Sequence, residues 1–287
     1  MATVGLVVHE HRPEAADLAR KAAAWLLARG HVVRLPKADA QHVGLPDLGC
    51  QADELGEALD LAVTLGGDGT ILRAVSLVSR GGVPLLGINL GRLGYLADVE
   101  PEALTEALGR YLDGDFAIEE RMMLSVSVHR AGEPGPGPST DLWALNEAVV
   151  ERPAAGHTVR VAVEVDGRFW TTYAADGFIV ATPTGSTAYA FSAGGPIVSP
   201  NVAAMLLAPV SAHVSFDRAL VVEAHAAVRV EVTDRPATLV IDGRETGLLD
   251  RGDAIVCTRA PGMARFVAFG PRDFFGVLKT KFGVADR

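Results

Sequence analysis

The chain contains few of the residues that mark several common protein classes. Of its 287 residues two are cysteines, Cys50 and Cys257, with neither CxxC spacing nor a histidine partner at zinc-ligand spacing. A disulfide framework and a structural zinc site are therefore not expected. The longest apolar run, around residues 202–210, contains Pro209 and falls far short of the roughly 20 residues that a membrane-spanning helix needs. We expect no membrane segment.

Lysine is also scarce. The 26 Lys and Arg residues include only four lysines, and 35 Asp and Glu residues give a formal net charge of −9. Without a cluster of basic residues, nucleic acid is not an expected partner. No lysine follows a glycine-rich loop, so the P-loop pattern is absent, and GxGxxG is absent as well. If the chain handles phosphates, it does so with backbone N–H groups, arginines and metal ions.

The beginning of the chain is already strand-like. The first residues, MATVGLVVHE, lack a basic leader followed by an apolar core and a small-residue cleavage site, so we expect a cytoplasmic protein.

Residues 1–115 alternate strand and helix signals. TVGLVV, HVVRL, LAVTL and VPLLGIN predict strands, and residues 13–30 predict a helix with proline near its start and glycine at its end. TILRAVSLVSRGG and PEALTEALGRYLDG predict two more helices. This order indicates an open α/β domain with a mostly parallel sheet.

Residues 116–270 predict a second domain that is rich in β-strands. RMMLSVSVHR alternates apolar and polar residues, and GEPGPGPST predicts a loop. Asp166-Gly167 lies between two alternating runs and predicts a hairpin. ALVVEAHAAVRVEV, ATLVIDGRET, AIVCTRA and ARFVAF continue the strand pattern. Residues 271–287 contain a short amphipathic helix that we expect to pack on the first domain.

The segment LGGDGT, residues 65–70, combines a glycine turn with an acid. Gly66, Gly67 and Gly69 permit positive φ and close approach of a ligand, and Gly69 or Thr70 would open a helix whose N–H groups attract anions. Asp68 then has two open roles. It forms the turn or caps the helix, or it accepts a proton from a hydroxyl that attacks phosphorus.

Two further segments are rich in hydrogen-bonding groups. Residues 179–200, IVATPTGSTAYAFSAGGPIVSP, offer hydroxyls, glycines and Tyr189, which could stack on a base; the alternative is a surface loop. In ALNEAVVER, Asn146 and Glu147 interrupt an apolar strand, and one of them should face what the sheet covers. A carboxylate suits a pair of vicinal hydroxyls; the alternative is a solvent-exposed pair. INLGRLGYL, residues 88–96, indicates tight packing and a domain junction.

Four segments in chain order, GGDGT at 66–70, NLGRLGYL at 89–96, Asn146-Glu147 and residues 176–200, together resemble the NAD kinase family. GGDGT alone is shared with 6-phosphofructokinases and with diacylglycerol and sphingosine kinases, whereas DGFIVATPTGSTAYAFSAGGPIVSP at 176–200 is specific. The resemblance implies a NAD kinase/diacylglycerol kinase-like fold and transfer of a phosphoryl group from ATP or polyphosphate to the 2′-hydroxyl of the adenosine ribose of NAD. Mg²⁺ or another divalent cation, and a homodimer or homotetramer, are implied with it.

Residue by residue, the resemblance makes Asp68 the proton acceptor, with Gly69 and Arg73 in the same site. Asn146 and Glu147 would contact the dinucleotide, and Asp176 would lie on the nicotinamide side. The implied ligand-contacting positions are Asp68, Gly69, Arg73, Asn146, Glu147, His157, Asp176, Thr187, Ala188, Tyr189, Ala190, Phe191, Ser192 and Arg244. Relatives often have glutamine where Arg244 stands. No residue is assigned as a metal ligand.

Two other functions remain open from the sequence. One is a GGDGT kinase that acts on a lipid or a sugar. The other is a regulator that binds NAD without catalysis.

Overall fold

The computed structural model describes most of the chain and divides it into two compact units. The described residues are 1–52, 54–56, 59–91, 94–97, 99–133, 141–154, 156–213 and 216–284. The first unit contains residues 1–120 and 264–287, and the second contains residues 121–263. None of the helices in these described ranges has the length and apolar character needed to cross a membrane.

Most of the predicted helices and strands are present. The helices are α1 (Pro13–Leu27), α2 (Lys37–His42), α3 (Asp68–Val78), α4 (Leu104–Leu112), α5 (Tyr189–Ser192) and α6 (Phe274–Phe282). The strands are β1 (Thr3–Val8), β2 (Val32–Pro36), β3 (Gly49–Cys50), β4 (Leu61–Gly66), β5 (Pro84–Asn89), β6 (Ala117–His129), β7 (Leu142–Ala144), β8 (Glu147–Glu151), β9 (Val159–Val165), β10 (Arg168–Ala175), β11 (Gly177–Ala181), β12 (Ala204–Val210), β13 (Leu220–Glu223), β14 (Val228–Val232), β15 (Ala237–Ile241), β16 (Arg244–Leu249) and β17 (Ala254–Ala268).

The first unit contains a parallel sheet in the order β3-β2-β1-β4-β5, which confirms the predicted α/β part. Residues 265 and 266 of β17 pair with β5, also in parallel. Every residue of β4 is buried, as expected for a central parallel strand covered on both faces. The chain leaves β1 toward β2 and leaves β4 toward β5, in opposite directions. The carboxyl ends of β1 and β4 therefore form the kind of switch point where open α/β sheets bind ligands.

Helix α1 covers this sheet with small residues. Ala15, Ala19, Ala22 and Leu26 are fully buried, and their spacing of three or four residues places them on one helical face. The helix itself ends at Leu27, and after a turn over residues 28–30 the glycine predicted at its C′ end, Gly30, takes φ +78°.

The second unit is β-rich, as predicted. One sheet has the order β13-β12-β11-β8-β15-β16, and in the other β10, β9, β14 and the first half of β17 pair in that order; all these pairings are antiparallel. Along β11, Phe178 and Val180 join a core cluster with side chains of both sheets. Ile179 and Ala181 point to the opposite face, where Ala190 of α5 packs. The two-residue period of a strand produces this alternation.

The local predictions for the second unit were confirmed in some places and wrong in others. Asp166 and Gly167 have φ of 51° and 70° and join β9 to β10, which confirms the predicted hairpin. AIVCTRA and ARFVAF belong to one strand, β17, rather than two. The strand predicted through ALNEAVVER breaks at residues 145 and 146, between β7 and β8. Of the predicted loop GEPGPGPST, residues 134–140 lie outside the described residues.

Candidate active site

Asp68 lies at the switch point of the first unit, where β4 passes into α3. The helix begins at Asp68 with Gly67 at its N-cap position, one residue before the earliest predicted start. The carboxylate does not cap this helix. Its Oδ2 accepts a hydrogen bond from the Tyr95 N–H at 3.1 Å and its Oδ1 accepts one from the Leu96 N–H at 3.4 Å. Two backbone donors from another segment therefore hold the carboxylate in place.

The glycines around Asp68 serve different purposes. A Cβ on Gly94 would lie 2.3 Å from Asp68 Oδ1, and one on Gly66 would lie 2.2 Å from Thr70 Oγ1, so side chains at these positions would collide with the turn. A Cβ on Gly67 or Gly69 would meet no atom within 4 Å. None of the three glycines in GGDGT has positive φ, so the turn does not use the conformational freedom that glycine permits. Open space beside Gly67 and Gly69 is consistent with close approach of a ligand.

Tyr95, whose N–H donates to Asp68, contacts a cation with its ring. Lys281 Nζ of α6 lies 4.1 Å from the centre of the Tyr95 ring, a distance typical of a cation–π contact. Burial, followed by the nearby Asp68 carboxylate, raises the pKa of the Tyr95 hydroxyl. From the sequence we expected the segment 88–96 to provide tight packing and a domain junction, and its contact with Asp68 was not predicted. The two glycines of LGRLGYL were the available signal; Arg92 and Leu93 lie outside the described residues.

Arg73 is held on the buried side of α3. Its guanidinium donates to both oxygens of Asp39, at 2.9 and 2.6 Å, and to the Val8 carbonyl at 2.6 Å. Glu10 lies 3.4 Å away on the exposed side. Asp39 also accepts the Val8 N–H at 2.7 Å. This network fixes α3 to the carboxyl end of β1, and the role of Arg73 in orienting a phosphoryl group stays a prediction.

Glu147 is the first residue of β8 and is 5% exposed. Its Oε2 has no hydrogen-bond partner among the described residues. Burial, followed by the nearby Asp242 carboxylate, raises the pKa of Glu147 to about 8, although the Tyr189 N–H opposes the shift. Because a buried polar atom without a partner is costly, Glu147 is suited to receive a hydroxyl of a ligand.

Asp176 and His157 line one cleft of the second unit. The cleft has a volume of about 530 Å³. The Arg152 Nε lies 3.0 Å from Asp176 Oδ1, and an Arg235 Nη lies 2.6 Å from His157 Nδ1. The full lining is Arg152, Gly156, His157, Thr158, Arg160, Asp176, His213, Asp234 and Arg235. The arrangement mixes both signs of charge and leaves room for a polar ligand.

Residues 187–192 form the turn and helix α5 that follow β11. Ala190 is fully buried against the sheet, whereas Tyr189 and Phe191 are each 38% exposed, and Ser192 is exposed. Burial, followed by the Glu151 and Asp176 carboxylates, raises the pKa of Tyr189. Tyr189 thus stands near both the Asp176 cleft and the Glu147 carboxylate.

The predicted residues fall into two sets. Asp68, Gly69 and Arg73 belong to the first unit, and the other eleven belong to the second. Within the second unit, Glu147 and Asp176 each lie near Tyr189, and Arg244 is an exposed residue that opens β16 close to Asp242.

Comparison with known proteins identifies the family. A model of the ATP-NAD kinase N-terminal domain matches residues 4–116, and a model of the ATP-NAD kinase C-terminal domain matches residues 145–269. The chain belongs to the NAD kinase family. NAD kinase of Heliobacterium modesticaldum is 41% identical over 286 residues, covering 98% of both chains. NAD kinase 2 of Streptomyces coelicolor is 40% identical over 291 residues, covering 98% of this chain and 94% of the relative.

Solved structures of this family have the same fold. Yeast NADH kinase complexed with NADH aligns with a TM-score of 0.89 and 25% identity, covering 100% of this chain and 89% of that chain. An NAD kinase from Archaeoglobus fulgidus in complex with ATP aligns with a TM-score of 0.74 and 29% identity, covering 99% of each. The predicted fold class and the resemblance to NAD kinases are therefore confirmed.

The network around Arg73 gives a first testable prediction for this family member. Asp39→Asn should lower the free energy of unfolding by about 3 kcal/mol, because it removes the charge from a buried ion pair and leaves Arg73 poorly compensated. Urea unfolding measures the loss. Glu10→Gln is the matched control, since it removes the exposed partner of the same guanidinium and should cost less than about 1 kcal/mol. Equal losses in the two variants would contradict the assignment of Asp39 as the main partner.

Proposed function

We propose that Asp68 accepts the proton of the adenosine ribose 2′-hydroxyl while that oxygen attacks the γ-phosphorus of ATP. Membership in the NAD kinase family makes the overall reaction ATP-dependent phosphorylation of NAD. The new bond joins the 2′-oxygen to phosphorus, the bond to the β–γ bridging oxygen breaks, and the products are NADP and ADP. The observation that carries this role is the carboxylate of Asp68 held by the Tyr95 and Leu96 N–H groups beside two open glycines.

The backbone contacts of Asp68 suit this step. Phosphoryl transfer depends mainly on positioning and electrostatics, and a carboxylate fixed by two donors can aim a hydroxyl without first reorganising. Its proton is accepted late, once the attacking oxygen has begun to bond to phosphorus. The start of α3, as a helix N-terminus, favours anions. We assign this helix start, with Gly69 and Arg73, to the phosphates of the donor.

The second unit supplies the proposed dinucleotide contacts. The unpartnered Oε2 of Glu147 fits a ribose hydroxyl, and Asn146 precedes it in the break between β7 and β8. Asp176 and His157 line the cleft that would take the nicotinamide side. The turn at 187–192 would hold an adenosine, with Tyr189 and Phe191 exposed for stacking and Ala190 contributing only its peptide group. Thr187, Ala188, Ser192 and Arg244 complete the proposed set.

The divalent cation is best treated as part of the donor substrate. Among the described residues, no group of three or more His, Cys, Asp or Glu side chains could hold a metal ion. Mg²⁺ commonly keeps several waters and binds through substrate phosphates. We therefore propose that it enters with ATP. Its contribution when bound is to neutralise charge on the transferring group.

Several broader predictions remain proposals. They are a cytoplasmic location, a homodimer or homotetramer, polyphosphate as a second donor, and domain limits at residues 1–115, 116–270 and 271–287. A lipid or sugar kinase and a non-catalytic regulator are set aside, since both halves of the chain match NAD kinase domains.

A direct assay tests this function. Purified protein is incubated with NAD, Mg²⁺ and either ATP or polyphosphate, and NADP is read with an NADP-specific dehydrogenase. We expect NADP to form with ATP. Formation of NADP with polyphosphate would show that polyphosphate is a second donor, and no NADP with polyphosphate would exclude only that donor. A parallel reaction with fructose 6-phosphate or diacylglycerol in place of NAD serves as the acceptor control. Absence of NADP with every donor would overturn the proposed function.

A further inference from the structure

The break between β7 and β8 leaves three consecutive peptides, at Leu145, Asn146 and Glu147, next to the proposed ligand contacts. A break in a strand removes ladder partners, and buried backbone groups without partners are costly. The partners found for these peptides come from two residues distant in sequence.

One residue, Asp242, accepts all three N–H groups. Its Oδ2 lies 2.7 Å from the Leu145 nitrogen, and its Oδ1 lies 2.7 Å from the Asn146 nitrogen and 3.1 Å from the Glu147 nitrogen. Hydrogen bonds to an ionised carboxylate are stronger than neutral ones. Three of them to consecutive peptides fix the direction in which the chain turns.

The three carbonyl groups are also paired. Thr182 donates its hydroxyl to the Leu145 carbonyl at 2.5 Å and its N–H to the Asn146 carbonyl at 2.8 Å. The Asp242 N–H donates to the Glu147 carbonyl at 3.0 Å. Asp242 and Thr182 together therefore satisfy all six polar groups of the three peptides.

Both residues are themselves fixed. Asp242 has φ +48° in the turn between β15 and β16, a conformation that Asp and Asn tolerate better than most residues. Thr182 is fully buried, and its hydroxyl also accepts the Gly185 N–H at 3.1 Å. Asp242 is two residues from Arg244, and Thr182 is five residues from Thr187. Hydrogen bonds of residues 145–147 therefore connect three segments: their own, the one that leads from Thr182 to residues 187–192, and the one that contains Asp242 and Arg244. These segments carry most of the proposed dinucleotide contacts.

We infer that Asp242 and Thr182 are positioning residues for dinucleotide binding, which hold Asn146 and Glu147 in the orientation that the acceptor requires. This inference rests on the proposed function. Neither residue is assigned a contact with the dinucleotide or the donor. Their effect is transmitted through the backbone of residues 145–147.

Asp242 also contributes to the charge environment of Glu147. The groups that act on Glu147 are the Asp242 carboxylate and the Tyr189 N–H, while Arg244 and the three peptide N–H groups act on Asp242. The Tyr189 ring in turn stands near Glu151, Asp176 and Arg152. Because Asp242 helps to raise the pKa of Glu147 to about 8, loss of its charge should move that titration to lower pH.

The effect of Asp242 on the pKa of Glu147 provides a test of whether Asp242 positions the site or only stabilises the fold. The ionised form of Glu147 is the better acceptor for the proposed ribose hydroxyl, so the KM for NAD should fall as pH rises through about 8 in the wild-type protein. In Asp242→Asn the midpoint of that change should lie at lower pH. Well above pH 8, where Glu147 is ionised in both proteins, the KM for NAD should be roughly tenfold higher in Asp242→Asn, as expected for a lost charge-assisted hydrogen bond, with the KM for ATP within about twofold.

Thr182 tests the same inference from the carbonyl side. Thr182→Val removes the hydroxyl with little change of shape and should raise the KM for NAD. Thr182→Ser keeps the hydroxyl and should have a KM for NAD close to that of the wild-type protein. Asp166→Asn is the control, because Asp166 has a similar φ of 51°, precedes a glycine in a hairpin and accepts one backbone N–H, from Ala227. It should leave both KM values unchanged.

Hydrogen exchange separates failure of this inference from failure of the proposed function. If the wild-type protein makes no NADP, the proposed function fails. Exchange at the amides of 145–147 then still tests whether Asp242 and Thr182 hold these residues in place. Faster exchange there in Asp242→Asn, with unchanged exchange elsewhere in β8, supports it. An unchanged KM and pH midpoint in Asp242→Asn, together with an unchanged KM in Thr182→Val, would overturn the inference in an active enzyme. Unchanged exchange would overturn it in an inactive one.

Discussion

Asp68→Asn should lower kcat by roughly 10²–10⁴-fold, the range associated with loss of general acid–base catalysis. The amide cannot accept the proton of the attacking hydroxyl, yet it is nearly the same size as the carboxylate. We expect the dissociation constant for NAD to change little. One of the two N–H groups now bound to Asp68, from Tyr95 or Leu96, would face the new NH₂ group, so the free energy of unfolding should fall by about 1 kcal/mol. Steady-state kinetics, calorimetric NAD titration and urea unfolding measure these three effects.

A matched aspartate in the same unit controls for structural effects. Asp60 accepts the Thr3 N–H at 2.7 Å, and Asp60→Asn should retain kcat while losing a similar amount of stability. A correctly folded Asp68→Asn enzyme with near-normal kcat would remove Asp68 from the mechanism.

Gly185→Ala should lower kcat/KM for NAD by at least about 100-fold. A Cβ at this position would lie 2.1 Å from the Asn146 carbonyl oxygen and 2.6 Å from its carbon. Both partners are backbone, so no flexible side chain can move aside, and the peptide of Asn146 must shift by about 1 Å. Displacements of this size can cost about 100-fold in rate. Steady-state kinetics with NAD varied at saturating ATP measures the effect.

The control for this change is an alanine where space is available. A Cβ on Gly109 in α4 would meet nothing within 4 Å, and replacing a helical glycine by alanine generally stabilises by about 0.5–1 kcal/mol. Gly109→Ala should keep full activity with a slightly higher melting temperature. Wild-type kcat/KM in a folded Gly185→Ala protein would show that the peptides at 145–147 are not tightly confined.

The parts of the fold that follow a local pattern could be predicted from the sequence. Strands β1 and β4 are short apolar runs, α1 has proline at its start and buried residues at helical spacing, and Asp166-Gly167 is a strong hairpin signal. In each case the residues that determine the structure are neighbours in the chain. The two-residue strand β3 and the short helix α2 carry too few residues for a periodic pattern and were missed.

The site was predictable as a set of residues but less so as an arrangement. GGDGT and the run at 187–192 stand out by composition, and the family resemblance assigned roles to them. Nothing near Asp68 in the sequence indicates that its carboxylate is held by residues 95 and 96, and nothing near Asn146 points to Asp242, nearly a hundred positions later. These contacts depend on tertiary structure, so one sequence could not supply them. The buried Asp39 beside Arg73 was missed for the same reason.

Phosphorus NMR of NAD and Mg²⁺–ATP with the wild-type protein and with Asp68→Asn tests the central claim most directly. The proposed reaction predicts ADP and one new phosphomonoester signal coupled to the ribose 2′ proton with the wild-type protein, and almost none over the same time with Asp68→Asn. Release of inorganic phosphate with NAD unchanged, coupling to another ribose proton, or equal product from the variant would contradict it.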